Sequence, residues 1–205
     1  MQMAGLVESS LDKAIRAALE RDASETEEVR QTDERIDALE IEIDERTVEL
    51  LALQQPMASD LRQIVATNKV SNDLERIGDH AVNIARAVAR LQDMHPLPRM
   101  RELDEMTEVT RGMVSDALAS YVSRDAEAAR KVCVRDDRVD DLRGSMFRIL
   151  VTHMLEDPKL ISAALELLLI SQNLERIADL ATNVSEDVVF LVEGRSIKHG
   201  HEFGE

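Results

Sequence analysis

Apolar side chains recur every three or four residues along almost the whole chain, the spacing that places them on one face of an α-helix. The pattern predicts six helices, over about residues 5–22, 26–53, 58–92, 99–123, 127–154 and 159–192. Pro56 and Pro158 fall where hairpin turns are expected, and each is acceptable in the first turn of the helix that follows. The segment 94–98, MHPLP, breaks the pattern most strongly, so we place the joint between two halves there.

The two halves repeat one another in sequence. With a shift of 100 residues, SNDLERIGDHAVNIA at 71–85 aligns with SQNLERIADLATNVS at 171–185, and eight of the fifteen positions are identical. With a shift of 103, residues 33–37 resemble residues 136–140. We therefore predict an all-α fold, a tandem repeat of two three-helix bundles, with domains at 1–95 and 96–205.

Composition and charge narrow the class of protein. Aromatic residues make up only 2% of the chain, which is too few for a protein rich in strands. The net charge of −16 would repel phosphate backbones, so we expect no nucleic-acid partner. Cys133 is the single cysteine, the N-terminus lacks the features of a signal peptide, and no apolar run approaches the roughly 20 residues of a membrane span. We therefore expect a cytoplasmic protein without direct membrane insertion.

Pairs of acidic residues recur at helical spacing beside the apolar seams. The four pairs are Asp33 with Asp37, Glu75 with Asp79, Asp136 with Asp140, and Glu175 with Asp179. Carboxylates at i and i+4 lie on one helix face and repel each other. In an antiparallel hairpin the first two pairs stand at one height, since their midpoints lie 21 residues before and after Pro56. Four carboxylates per bundle predict a site for Mg²⁺, Mn²⁺ or iron, with enough oxygens for more than one ion.

A simpler interpretation, in which these acids form surface salt bridges and bind no metal, stays open. Arg76 and Arg176 could pair with neighbouring acids at i, i+3, which would make the acidic stripes a plain surface salt-bridge lattice. His199 and His201 lie on a polar tail, and two histidines without further ligands at a defined spacing do not predict a metal site.

Three further polar residues lie near the predicted clusters. His80 follows Asp79, but its counterpart is Leu180, so we expect His80 at the rim of the site rather than as a symmetric ligand. Asn83 and Asn183 are retained in both halves, which fits either hydrogen bonds between helices or hydrogen bonds that support metal ligands.

The chain lacks the motifs of the common enzyme classes. No His has a Glu three residues before it, and there is no Gly-rich phosphate loop and no local Ser/His/Asp or Cys/His motif. We therefore predict no catalytic residues and a protein that is not an enzyme. Two alternatives stay open: a metal-dependent enzyme that acts on a small phosphorylated substrate, and a helical scaffold that binds no metal.

The repeated segments resemble a known family. LALQQPMASDLRQIVATNKVSNDLERIGDHAVNIA at 51–85 is similar to PhoU-type phosphate-signalling accessory proteins, and NLERIADLATNV at 173–184 resembles the second copy of their repeat. The resemblance covers essentially the whole chain. Leu180 departs from it, because members of the family often carry His at that position.

The resemblance implies a negative regulator of the phosphate-starvation response. Such proteins link the ATPase subunit of the phosphate ABC transporter to a membrane sensor histidine kinase, bind metal clusters and often form homodimers. This chain would then be recruited to the inner face of the membrane through its partners. The expected ions are divalent or trivalent, with Mg, Mn, Fe and Zn as candidates. The resemblance assigns as metal ligands Asp33, Asp37, Glu75, Asp79, Asp136, Asp140, Glu175 and Asp179.

Overall fold

The all-α prediction is confirmed by the structure. A computed structural model of the chain describes residues 1–197, and the regular elements in that range are helices. They are α1 Gln2–Glu20, α2 Thr26–Gln54, α3 Ser59–Leu91, α4 Arg101–Ser123, α5 Ala126–Cys133, α6 Asp136–Glu156 and α7 Ile161–Glu193, with a 3₁₀ turn Pro158–Leu160 before α7. His199 and His201 lie outside the described residues.

The duplication is visible in the backbone as well as in the sequence. α1 and α4 both end on an arginine in the left-handed conformation, Arg21 with φ 53° and Arg124 with φ 55°. In each case the next N–H donates to a carbonyl five residues back, from Asp22 to Ala17 and from Asp125 to Ser120. This arrangement satisfies carbonyl groups that the end of a helix leaves unpaired. The same turn therefore leads into the second helix of each half.

The prediction of one helix over residues 127–154 is wrong. The structure has two helices there, because Val134 and Arg135 form a turn between α5 and α6. The N–H of Arg135 donates to Val132 three residues back, at 2.9 Å, instead of continuing the α-helical ladder. Valines at 132 and 134 lower the helix propensity of the segment, and Arg135 is drawn to Asp116 on α4 by an ion pair of 2.5 Å.

α3 and α7 run antiparallel and join the halves. Lys69 meets Asp187 at 3.3 Å, His80 meets Asn173 at 2.8 Å, and Arg90 binds Glu166 with two hydrogen bonds of 2.8 and 2.7 Å. Together with the repeat distance, these pairings place Ile77 and Ile177 opposite each other, at a pseudo-twofold axis. Both isoleucines are at most 1% exposed. The midpoints of the four acidic pairs fall at this same level.

One hydrophobic cluster extends through both halves. It includes Ile36 from α2, Met113 from α4, Leu150 from α6 and the two central isoleucines. The domain boundary near residue 95 stays a prediction, since the two bundles share this core. Within residues 1–197, none of the helices combines the length and the apolar character that crossing a bilayer requires.

Candidate metal centres

The first acidic cluster lies between α2 and α3, where the hairpin arithmetic places it. Asp33 packs directly against α3, so that a Cβ atom at Gly78 would stand only 2.8 Å from its Oδ1. A Cβ atom at this position would force the Asp33 carboxylate to shift and would crowd Ile36, so glycine allows the close approach. Ala178 holds the equivalent position in α7 and is fully buried, so the second cluster has a Cβ atom where the first has none.

The carboxylates of this cluster act on one another electrostatically. The pKa of Asp33 is raised to about 6, first by burial and then by the negative charges of Asp37 and Asp79. Burial also raises the pKa of Asp37, and again Asp79 adds to the effect. The pKa of Glu75 is raised by burial and then by Asp79 and Asp37. The structure therefore brings all four predicted residues into one electrostatic group.

Sequence reasoning missed that this group extends along α2. Burial raises the pKa of Glu40, and the charges of Asp44 and Asp37 raise it further. These residues continue the acidic ridge at steps of three and four, which is the signal that could have found them. Comparison of the two halves does not reveal them, because the counterparts of Glu40 and Asp44 are Arg143 and Phe147.

The second cluster lies between α6 and α7. The pKa of Asp136 is raised to about 6 by burial, followed by the charges of Asp179 and Asp140. Thr182 donates a long hydrogen bond of 3.4 Å to Asp136 Oδ1. Glu175 is half-buried on the same side of α7 and lies 3.9 Å from an Arg143 nitrogen. Both clusters have a cationic neighbour: Arg143 lies beside Glu175 in the second, and the charge of Arg86 partly offsets the raised pKa of Asp33 in the first.

The salt-bridge interpretation describes one half better than the other. Arg176 Nη1 lies 3.2 Å from Asp179 Oδ2, and its Nε lies 3.7 Å from Glu175 Oε2. Arg76, the counterpart in α3, forms no ion pair with any residue in the range 1–197. A neutralising lattice is thus partial around the second cluster and is not seen around the first.

Each cluster contains a buried oxygen that accepts no hydrogen bond. These atoms are Asp33 Oδ1 and Glu175 Oε2. A buried carboxylate oxygen normally has a partner, and a cation would supply one. The residues present therefore fit a hard cation. Within residues 1–197, however, no three His, Cys, Asp or Glu side chains already converge into a metal-ligand set. Binding would require the side chains to rotate towards a common point.

Within residues 1–197, the remaining polar candidates form no hydrogen bond with the acids. Asn173 donates to the Leu169 carbonyl at 2.7 Å, so its Oδ1 accepts from His80 Nδ1, and His80 connects the halves instead of contacting the first cluster. Asn83 is exposed and Asn183 is half-buried, and neither side chain forms a hydrogen bond in the described part of the chain. Their support of metal ligands stays a prediction.

The raised pKa values predict an unusual pH dependence for the metal-free protein. In the folded state Asp33 and Asp136 hold their protons up to about pH 6, whereas the unfolded chain releases them near 3.8. We therefore expect the melting temperature in a chelating buffer to fall as the pH rises through this interval. Asp33→Asn with Asp136→Asn should flatten the profile, while changing the exposed Glu45 to Gln should not. A profile that rises over the interval for the wild type would contradict the electrostatic grouping.

Comparison with known proteins places the chain in one family. The sequence profile of the PhoU domain matches residues 1–88 and again residues 103–188. A relative from Pseudomonas putida, named phosphate-specific transport system accessory protein PhoU homolog, is 41% identical over 200 residues, which cover 97% of this chain and 78% of the relative. A relative of the same name from Aquifex aeolicus is 40% identical over 201 residues, 98% of this chain and 91% of its own length.

Solved structures agree with the sequence matches. The crystal structure of PhoU from Pseudomonas aeruginosa superposes with a TM-score of 0.91 and 39% identity, covering 95% of this chain and 93% of that one. The phosphate transport system regulatory protein PhoU from Streptococcus pneumoniae gives a TM-score of 0.88 and 28% identity, over 96% and 93% of the two chains. On sequence and fold together, the chain belongs to the PhoU family.

Proposed function

We propose that this protein regulates phosphate transport and restrains the phosphate-starvation response. Similarity over nearly the whole chain to proteins named as phosphate transport accessory and regulatory proteins carries this conclusion. The partners we propose are the ATPase subunit of the phosphate ABC transporter and a sensor histidine kinase. In this role the protein works in the cytoplasm as a homodimer and reaches the membrane through those partners.

We further propose that metal ions occupy the two carboxylate clusters. Asp33, Asp37, Glu75 and Asp79 would hold the ions of the first cluster, with Glu40 as an added ligand on the same ridge. The second set would be Asp136, Asp140, Glu175 and Asp179. Support comes from the buried oxygen that accepts no hydrogen bond in each cluster and from the raised pKa values of Asp33 and Asp136. A bound cation would neutralise the repelling charges and give each cluster one fixed arrangement.

The two clusters should differ in affinity. Around the first, Glu40 and Asp44 add negative charge and one arginine, Arg86, acts on Asp33. Around the second, both Arg143 and Arg176 lie within 4 Å of Glu175. Nearby cations oppose the binding of another cation. We therefore assign the tighter metal site to the α2–α3 hairpin.

The regulatory role is tested in a strain that lacks the gene and carries a reporter driven by a phosphate-starvation promoter. We expect the reporter to be active in high phosphate without the protein and repressed several-fold when the wild type is restored. A variant with Asp33→Asn, Glu75→Gln, Asp136→Asn and Glu175→Gln should fail to repress. The control changes one exposed acid beside each cluster, Glu34→Gln with Asp137→Asn, and should repress normally.

The outcomes separate the two parts of the proposal. Full repression by the four-residue variant would refute a role for the clusters and leave the regulatory function in place. A reporter that responds to phosphate equally with and without the protein would refute the regulatory function itself.

A further inference from the structure

A recess of about 480 Å³ opens between α6 and α7, next to the second acidic cluster. Arg143, Phe147 and Arg148 line it from α6, and Leu168 and Gln172 line it from α7. Gly144 also borders the recess and has no side chain that would fill it. None of these residues belongs to the proposed metal ligands.

The charge of this recess is opposite to that of the rest of the surface. The chain carries a net charge of −16, yet two guanidinium groups face the same opening. Arg148 donates to the Ser145 hydroxyl at 3.0 Å and forms no ion pair within residues 1–197. Arg143 has only a distant partner, Glu175, at 3.9 Å. Both arginines therefore retain donors for an incoming anionic group.

Divergence between the halves shows that the repeat does not require these charges. The equivalent positions on α2 are Glu40, Asp44 and Glu45, all acidic, in place of Arg143, Phe147 and Arg148. The same helix face is thus anionic in one half and cationic with an aromatic side chain in the other. A solvent-exposed helix face that serves only solubility has no need of this difference.

The recess also exposes apolar surface in the arrangement common at protein interfaces. Phe147 is one of only three phenylalanines in the chain, and its side chain is 55% exposed instead of lying in the core. Leu165 is 50% exposed and continues the line of Leu168 and Gln172 along α7, at steps of three and four. Phenylalanine and arginine are enriched in the energetic centres of interfaces, where an apolar anchor is surrounded by polar contacts. An inorganic phosphate ion would make no use of these apolar side chains.

We propose that this recess docks an acidic segment of a partner protein that presents one apolar side chain to Phe147 and carboxylates to Arg143 and Arg148. The inference rests on the proposed function only in that a regulator acts through protein partners. Charge complementarity selects the occupant, since both arginines would gain carboxylate partners and the exposed apolar surface would be covered.

The test uses the full chain and a short helical peptide labelled with fluorescein. The peptide carries Leu and Phe on one face and Glu on the other, and a companion peptide has Lys in place of each Glu. Fluorescence anisotropy should show that the acidic peptide binds and the lysine peptide does not, and added salt should weaken the binding. Arg143→Glu with Arg148→Glu should reduce the affinity at least about tenfold. Phe147→Ala should reduce it while leaving the salt dependence unchanged.

The matched control reverses two exposed charges away from the recess, Arg46→Glu with Lys131→Glu, and should bind as the wild type does. Circular dichroism would verify that every variant is folded.

Equal binding by the Arg143/Arg148 variant, or no binding of the acidic peptide by the wild type, would overturn the proposal. So would displacement of the peptide by millimolar inorganic phosphate but not by sulfate, which would make the recess a phosphate site. Loss of self-association in the same variant would assign the face to a second copy. Each of these outcomes can be told apart from failure of the phosphate reporter, because none of them depends on transcription.

Discussion

We expect that changing Asp33 to Asn and Glu75 to Gln together will abolish the metal binding that we propose for the first cluster. The two residues supply oxygens from facing helices, and Asp33 holds a buried oxygen that lacks a hydrogen-bond donor. Even groups that only support a metal ligand change affinity by about 10–100-fold, so loss of two ligands should exceed that range. Elemental analysis after dialysis against Mn²⁺ measures the remaining metal. Asp136→Asn with Glu175→Gln should remove the rest.

The control for this experiment is Glu34→Gln with Asp137→Asn, which removes the same number of charges from neighbouring exposed positions. We expect it to bind as much Mn²⁺ as the wild type. The metal-free wild type should gain thermal stability on addition of Mn²⁺, because the ion binds only the folded arrangement of carboxylates. The cluster variants should lose this gain. Unchanged metal content in the variant with all four substitutions would rule out the ligand assignment.

Shortening either central isoleucine will destabilise the whole protein. Ile77 and Ile177 are at most 1% exposed, belong to one hydrophobic cluster and lie at the same level of the α3–α7 pair. Ile77→Ala and Ile177→Ala should each lower the free energy of unfolding by about 2–5 kcal/mol, because each leaves a cavity in a packed core. Urea denaturation followed by circular dichroism measures the loss.

The comparison residue is Ile41, which is 57% exposed, and Ile41→Ala should change the free energy of unfolding by no more than about 0.5 kcal/mol. Since the cluster of buried residues runs through both halves, we expect one cooperative transition for every variant. Two separated transitions in Ile77→Ala, with only the first half affected, would show that the bundles fold independently.

The position of the acidic clusters could be predicted because it depends only on regular geometry. A helix rises by a constant amount per residue, so counting from Pro56 is enough to bring Asp33 and Glu75 to one level. The direction of each carboxylate could not be predicted in this way. It depends on local packing, such as the approach of Asp33 to Gly78, and on ion pairs such as that of Arg176 with Asp179.

The break between α5 and α6 could not be found from periodicity. Val139, Leu142 and Met146 are buried and keep the helical spacing that begins with Ala129 and Val132, so the apolar seam crosses the turn without interruption. The spacing of apolar residues shows only which residues face the core. Val134 and Arg135 keep right-handed helical backbone angles, so the turn between α5 and α6 does not disturb that spacing. Periodicity also could not distinguish the recess on α6 from an ordinary solvated face, since Arg143 and Arg148 are common residue types for either.

The attachment of α3 to α7 restricts how this protein can pass on a signal. Lys69 with Asp187 and Arg90 with Glu166 fasten the two helices near opposite ends, and His80 with Asn173 fastens them near the middle. Contacts at three levels favour one fixed orientation of α3 against α7. We therefore expect partners to respond to altered charge at the acidic clusters while the shape of the protein stays nearly constant.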